Sequence, residues 1–393
     1  MRIKRIAAIG AAFGLALAGL GAAGAASANP VTPNGGYSIV GSDTLQDAVN
    51  ALANGTKITG SNVRSLAAGR VLSSFDAFPT ASSVAAAAPV AGALIQTKAF
   101  GTYFLRPAGS GNGKAALLAS IGKNGVGGSA STVWNGVDIA GQVDLSRSSG
   151  ALTADANGDL VAVPFGRDAV SFAYKAGANI SQSTIDTVAA YSASQLLALV
   201  NATNGETVVN SDDHIVAVLP QSGSGTREFF LKAIGHSSNG KADVSTVPAA
   251  HQSFPENNGA VLAPGADEIW VMPFSVASYV AQQNHAAPAD TTAGISIGSP
   301  QSGIAPFTGT AGSRVPNKAY YDSATWGRDT FIIAPYAKLN GSTADPSLVA
   351  ALNKNLDASL ASFAIDGDVT SAGEVKTKFG FLEPSTYTAV RGK

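Results

Sequence analysis

Three times in this chain a predicted strand runs into a turn of small residues and opens directly into a predicted helix. The turns are Val40-Gly41-Ser42-Asp43-Thr44-Leu45, Arg106-Pro107-Ala108-Gly109-Ser110-Gly111-Asn112-Gly113 and Pro220-Gln221-Ser222-Gly223-Ser224-Gly225-Thr226-Arg227. The rest of the sequence keeps the same rhythm. Strands are predicted over 37–40, 98–105, 160–174 (interrupted at Pro164 and Gly166), 214–219, 268–272 and 330–334. Helices are predicted over 44–53, 114–121, 193–201, 226–234, 275–283 and 346–363. This alternation implies an α/β fold with largely parallel sheets. Stretches 59–97, 122–140 and 286–326 are rich in Gly, Ser, Ala and Pro and carry no assignment. No repeat with a period of roughly 20–50 residues is visible, which argues against a solenoid or propeller.

Each turn places backbone N–H groups and a hydroxyl at a helix start. The first four N–H groups of a helix lack partners and the helix dipole favours negative charge there, so such a turn suits an anion. Glycine lets the backbone approach an oxyanion closely. A single turn of this kind is ordinarily an N-cap; three in one α/β chain are more specific. A fourth segment, Val143-Asp144-Leu145-Ser146-Arg147-Ser148-Ser149-Gly150, adds hydroxyls and a guanidinium after a short strand.

Composition narrows the function. Of 393 residues only 13% are charged, against roughly a quarter in a typical soluble domain. With 25 basic and 26 acidic groups there is no cationic surplus for nucleic acid. The absence of cysteine excludes disulfides, thiol catalysis, Cys-ligated metals and a lipobox. The N-terminus has the layout of a secretory signal peptide: Arg2, Lys4 and Arg5, then an apolar run from Ile6 to Ala25, then the small-x-small site Ala26-Ser27-Ala28. Residues 1–28 carry three basic and no acidic groups, so the mature chain has 22 basic against 26 acidic groups, a net charge of −4. A secreted or cell-envelope protein without stable membrane insertion is expected.

Taken with Pro164-Phe165-Gly166-Arg167-Asp168-Ala169-Val170, these segments resemble the phosphate-binding proteins of ABC importers, and more closely the secreted PstS-like branch of actinobacteria. The resemblance implies a periplasmic-binding-protein fold of type 2, two α/β domains joined by crossing strands with a ligand cleft between them. The implied domains are 29–164 with 273–393, and 165–272. Carried over by residue, the resemblance places ligand contacts at Thr44, the N–H of Leu45, Ser110, Ser224, Gly225 and Thr226, with Ser42 and Asp43 beside the first turn. Two positions depart from the family's pattern. Its cleft carboxylate falls on Ser149, next to Ser148, and its arginine falls on Pro220, so Arg147 or Arg227 is expected to supply the cation. The implied ligand is inorganic phosphate or a similar oxyanion, with an ABC permease as partner, no cofactor or metal, no enzyme activity, and a monomeric state.

Other patterns are weaker. Gly111-Asn112-Gly113-Lys114 lacks the P-loop's Gly at 108 and Ser or Thr at 115. Gly294-Ile295-Ser296-Ile297-Gly298 matches a nucleophile elbow, but Pro300 follows where a helix is needed. His214, His236, His251 and His285 show no metal spacing, and Asp155-x-Asn157-x-Asp159 lacks the Gly and Glu of a calcium loop. Arg147 and Arg227 have salt bridging as the plainer role, and Trp134, Trp270 and Trp326 read as core aromatics. The alternatives to a receptor are a secreted phosphate-ester hydrolase using Ser110, Ser224 or Asp43, with Ser296 a distant candidate, and an extracellular matrix or adhesion protein that kept the fold without the ligand.

Overall fold

The structure, a computed structural model, describes residue 30 and residues 32–78, 94–124, 130–210, 212–237, 244–365, 367 and 370–393. The expected signal peptide lies outside these residues. The main sheet contains β1 (Tyr37–Gly41), β2 (Arg70–Ser74), β3 (Leu145–Ser148), β4 (Leu160–Ala176), β5 (Glu206–Val209), β6 (Asp213–Ala217), β7 (Glu268–Ser275) and β8 (Gly327–Pro335). Their order is β5-β6-β7-β4-β8-β3-β1-β2, with Leu66–Ala67 beyond β2 and Ser296–Ile297 and Val390–Gly392 paired to β4. The helices used below are α1 (Gln46–Asn54), α2 (Ser110–Ser120), α3 (Gln182–Ala189), α4 (Ala193–Asn201), α5 (Gly225–Ala233) and α6 (Val276–Gln283).

The fold is mixed α/β, as expected, but the sheet is less parallel than the alternation implied. β1 pairs parallel with β2 and β3, and β6 with β7. Every pairing made by β4 and β8 is antiparallel. β4 is also longer than expected. Its 17 residues form one strand, where the sequence suggested a run broken at Pro164 and Gly166. The register of β8 shifts between Thr330 and Phe331, so Thr330 faces Gly166 and Phe331 faces Pro164. A bulge at that point accommodates a proline, which has no N–H to give to the ladder.

The two halves of β4 have different neighbours. Leu160–Ala169 lies against β8, and Val170–Ala176 against β7. Each half also has its own core. Leu45, Val49 and Leu52 pack with Ile39, Leu72, Leu145, Phe165, Ile332 and Val375 around the first half. Val170 and Phe172 of the second half pack with Leu196, Leu199, Ile215, Phe230, Val271 and Trp326. The unassigned stretch 286–326 thus contributes Trp326, and also Tyr320 and Tyr321, to the second core. Unassigned residues 70–74 form β2, whose Leu72 is buried.

Two predicted elements are shorter than expected. The strand over 98–105 is confined to Phe104–Leu105. The helix over 346–363 ends at Ala351, because Asn353 folds the chain into turns: its Oδ1 accepts from Asn355 N–H and its carbonyl from the Ser359 hydroxyl. Among the described residues, no helix is long and apolar enough to cross a membrane.

Lys376, fully buried, ties the C-terminal helix Ala372–Lys378 to β4. Its ammonium donates to the carbonyls of Phe165 (2.7 Å), Leu360 (2.9 Å) and Ser362 (2.6 Å), and lies 4.2 Å from the Phe165 ring centroid. Burial pushes its pKa well below the ordinary lysine range. Lys376→Met removes these donors and leaves three buried carbonyls short of a partner. We expect a loss of about 2–4 kcal/mol in guanidinium unfolding; an unchanged midpoint would show that the carbonyls find other donors.

Candidate functional site

The three small-residue turns meet. Thr44, just before α1, lies with its hydroxyl 3.1 Å from that of Thr226 in the first turn of α5. Ser110, the first residue of α2, lies with its hydroxyl 3.1 Å from that of Ser149 and accepts from the Ser149 N–H at 3.0 Å. The second and third turns touch through their backbones, with Gly111 N–H donating to Gly223 C=O at 3.2 Å. Gly225 sits where these elements come closest. A Cβ there would overlap Ser149 Oγ and lie 2.6 Å from Ser110 Oγ, so any larger residue would displace both hydroxyls from their present positions. Three helix starts, drawn from well-separated parts of the chain, therefore face one small region.

The cation in this region is neither of the two expected arginines. It is Arg328 on β8. Its guanidinium donates to Thr226 Oγ1 (2.9 Å), Thr44 Oγ1 (3.3 Å) and the Gly225 carbonyl (3.2 Å). The same group is ion-paired to Asp168 on β4 at 2.9 Å, with both side chains almost wholly buried. Asp168 also accepts from Ser275 Oγ and Ala277 N–H at the start of α6, each at 3.0 Å. Asp168 thus fixes Arg328 and positions a fourth helix start, and Ser278 of that helix reaches the Thr44 carbonyl at 3.5 Å.

Arg147 has turned the other way. It shares a face of β3 with Leu145, and its guanidinium donates to the carbonyls of Ser42, Gly41 and Phe75 and to Ser74 Oγ. It pins the ends of β1 and β2 together behind the first turn. Burial lowers its pKa to about 10 despite nearby Asp76 and Asp43. Arg227 points back along its own turn, to the carbonyls of Pro220 and Gln252 and to Gln252 Oε1. Ser148 closes a local turn with Gly150, and Leu45 belongs to the core. The Ser42 hydroxyl is buried and, among the described residues, has no hydrogen-bond partner.

Two carboxyl groups border the helix starts. Glu256, 2% exposed, accepts at Oε2 from the Ser224 hydroxyl and from Thr226 N–H (3.3 Å). Asp43 is half-buried as a residue, yet both its carboxyl oxygens are occluded, with the Glu256 carboxyl beside them. Burial, and then the adjacent Glu256, push the Asp43 pKa well above the carboxylate range. One turn along α1, burial and Asp76 push Asp47 up to about 6.

Arg328 and Glu256 were missed by the sequence reading. Glu256 lies in a loop with no motif. Arg328 did leave a signal, because Gly-Arg-Asp occurs twice, at 166–168 and at 327–329. The other sequence patterns lie elsewhere: Ser296 is in a two-residue strand against β4, and Asp155 pairs with Lys393. Among the described residues, no group of three or more His, Cys, Asp or Glu is placed to hold a metal ion.

No family model and no curated protein matches the sequence. Solved structures do align over most of the chain. One is a possible phosphate-binding protein from Planctomyces limnophilus (13% identity, 90% of this chain and 94% of that one, TM-score 0.41). Another is an ABC-type phosphate transport receptor from Vibrio cholerae (14%, 88% and 99%, 0.39). A third is PfluDING, a high-affinity periplasmic phosphate-binding protein solved with phosphate (16%, 90% and 91%, 0.42).

Breaking one side of a buried ion pair leaves the other charge uncompensated. Arg328→Met should therefore cost about 3–5 kcal/mol of stability, and adding Asp168→Asn should restore part of it. A double-mutant cycle by chemical denaturation tests this; strictly additive losses would mean that the pair is not coupled.

Proposed function

We propose that this chain is an exported solute-binding protein that captures phosphate or a related tetrahedral oxyanion and delivers it to an ABC-type permease. One observation carries the reading. The starts of α1 and α5 meet at the guanidinium of Arg328 through the hydroxyls of Thr44 and Thr226, and the start of α2 joins them at Gly225 through the paired hydroxyls of Ser110 and Ser149. Such a cluster offers donors from several directions, as an oxyanion requires, and Arg328 supplies the charge. The residues proposed to hold the ligand are Thr44, Leu45 N–H, Ser110, Ser149, Gly225 N–H, Thr226 and Arg328.

The proposed mechanism is binding with closure and no covalent chemistry. The two units read from the sequence, 29–164 with 273–393 and 165–272, would close over the anion about the strands β4 and β7 that pass between them. Nothing favours the hydrolase alternative: the Ser110 hydroxyl engages Ser149, and the Ser224 hydroxyl engages Glu256 while accepting from Arg227 N–H. Ser224 is thus the cap of α5.

Calorimetric titration of the mature protein with phosphate, sulfate and molybdate tests the reading. One-to-one binding of at least one of them is expected. Thr226→Val should weaken it about 10–100-fold, the effect of losing one hydrogen bond to a charged ligand. Gly225→Val should abolish it by filling the space between Ser110 and Ser149. A folded protein that binds none of the three anions would end the proposal.

A further inference from the structure

A groove of about 490 Å³ opens beside the first half of β4. Its floor is aliphatic: Val161 and Val163 of β4, and Leu352 just after the helix Pro346–Ala351, are each less than a tenth exposed. Tyr336, at the end of β8, and Tyr387 also line it. The β4 residues in its wall, 161, 163 and 164, precede Asp168 by four to seven positions. Along an extended strand that is roughly 13–23 Å. The groove is thus separate from the helix starts and shares no residue with them. We propose that it is a second ligand site, for a small organic anion with an apolar body and one acid group.

The charge of the lining sets the ligand. The chain has 26 acidic groups to 25 basic ones, yet among the described residues no carboxylate lines the groove, while Arg391 and Lys354 both do. The two tyrosines hold these cations in place. The Arg391 guanidinium carbon lies 3.6 Å from the centroid of the Tyr336 ring, and its Nε donates to the Gly158 carbonyl at 2.8 Å. These contacts fix the plane of the guanidinium and engage one donor, which leaves the terminal nitrogens for a ligand. Asp155, whose carboxyl is within reach of the Arg391 charge, is ion-paired to Lys393 at 2.8 Å. The Lys354 ammonium stands 4.8 Å from the centroid of the Tyr387 ring, on an exposed residue. Glu383 accepts from the Tyr387 hydroxyl at 3.0 Å without lining the groove. Each ring thus carries a cation on one face, as a support rather than a bare stacking platform. An apolar ring or short chain covers the aliphatic floor and leaves water. Its acid group takes the open side of the Arg391 guanidinium, which offers a carboxylate two parallel donors, with Lys354 as a second charge. The volume suits a molecule of one or two rings. An inorganic oxyanion has no apolar surface to set against such a floor, so the groove and the helix starts select different chemistry.

The inference is independent of the oxyanion reading, because it uses none of the same residues. The probes are 2-naphthoate and its uncharged counterpart 2-naphthalenemethanol, each titrated by calorimetry into the mature protein. Naphthoate should bind one-to-one, and about tenfold or more tightly than the alcohol. Raising the salt should weaken naphthoate, since both cations are open to solvent, and leave the alcohol unchanged. Arg391→Gln should remove the preference for the acid. Because Arg391 also supports Tyr336, a second variant is placed on an exposed side chain: Val349, 40% exposed, lines the same groove. Val349→Glu brings a carboxylate into the lining, and should weaken naphthoate about tenfold with the circular dichroism melt of the wild type. Excess phosphate should not displace naphthoate. Equal binding of the two probes overturns the site, as does naphthoate binding that Val349→Glu leaves unchanged. Displacement by phosphate overturns it by moving the probe to the helix starts. A folded protein that does not bind naphthoate overturns it as well, and leaves the oxyanion reading untouched.

Discussion

The molecule depends on a crossed pair of ion pairs between two copies of the same tripeptide. Gly166-Arg167-Asp168 on β4 and Gly327-Arg328-Asp329 on β8 run antiparallel, with Asp168 opposite Arg328 and Arg167 opposite Asp329. Side chains alternate across a strand, so the two pairs emerge on opposite faces. Arg167 and Asp329 meet at 3.0 Å near the surface, where Asp329 also holds Ser385 and Arg167 the carbonyl of Tyr321. Arg328 and Asp168 meet inside, among the helix starts. The clasp lies just before β4 changes neighbours at Ala169, so a single register sets both the crossing of the chain and the position of the guanidinium. A slip of one residue would exchange the faces and leave the helix starts without their cation.

The buried cations divide into two kinds. Arg147 and Lys376 each saturate a cluster of backbone carbonyls, and Arg227 secures its own turn. These are fixed interior linkers whose charge is absorbed by peptide dipoles. Arg328 alone among these four donates to two hydroxyls that also stand at helix starts. Its ion pair costs desolvation, and the hydrogen bonds Asp168 receives from Ser275 and Ala277 help offset that cost.

The backbone of the candidate site was legible because glycine and serine dictate it locally. Gly109, with φ of 90° and the Gly223 backbone against it, is required by geometry, Gly225 is crowded by Ser110 and Ser149, and each lies in its turn in sequence. The side chains that charge the site were less legible. Arg147 stands in a serine-rich run and looked like a clamp, but strand alternation turns it toward the ends of β1 and β2. Arg328 is 284 residues from Thr44, and Glu256 30 from Thr226; their meeting is a property of the sheet order. The same holds for the parallel sheet that strand–helix alternation implied. The sequence shows the elements, but not that β4 runs as one 17-residue strand paired antiparallel with both β7 and β8 at the centre of the sheet. The helix expected to run to Phe363 failed for a local reason, the turn made by Asn353.

The charge balance around these helix starts has a kinetic side. Arg328 is cancelled by Asp168, Arg147 is enclosed behind the first turn, Asp43 and Glu256 stand beside the helix starts, and the attraction left to an anion comes from the dipoles there. Dipolar attraction fades within about one helical turn, so little field extends past the screening length of roughly 8 Å in physiological salt. Under the proposed function, a small anion would reach these helix starts by unguided diffusion, at a rate that ionic strength barely alters. Selection between anions would then fall to the dissociation step, after the ion had shed its water among the hydroxyls.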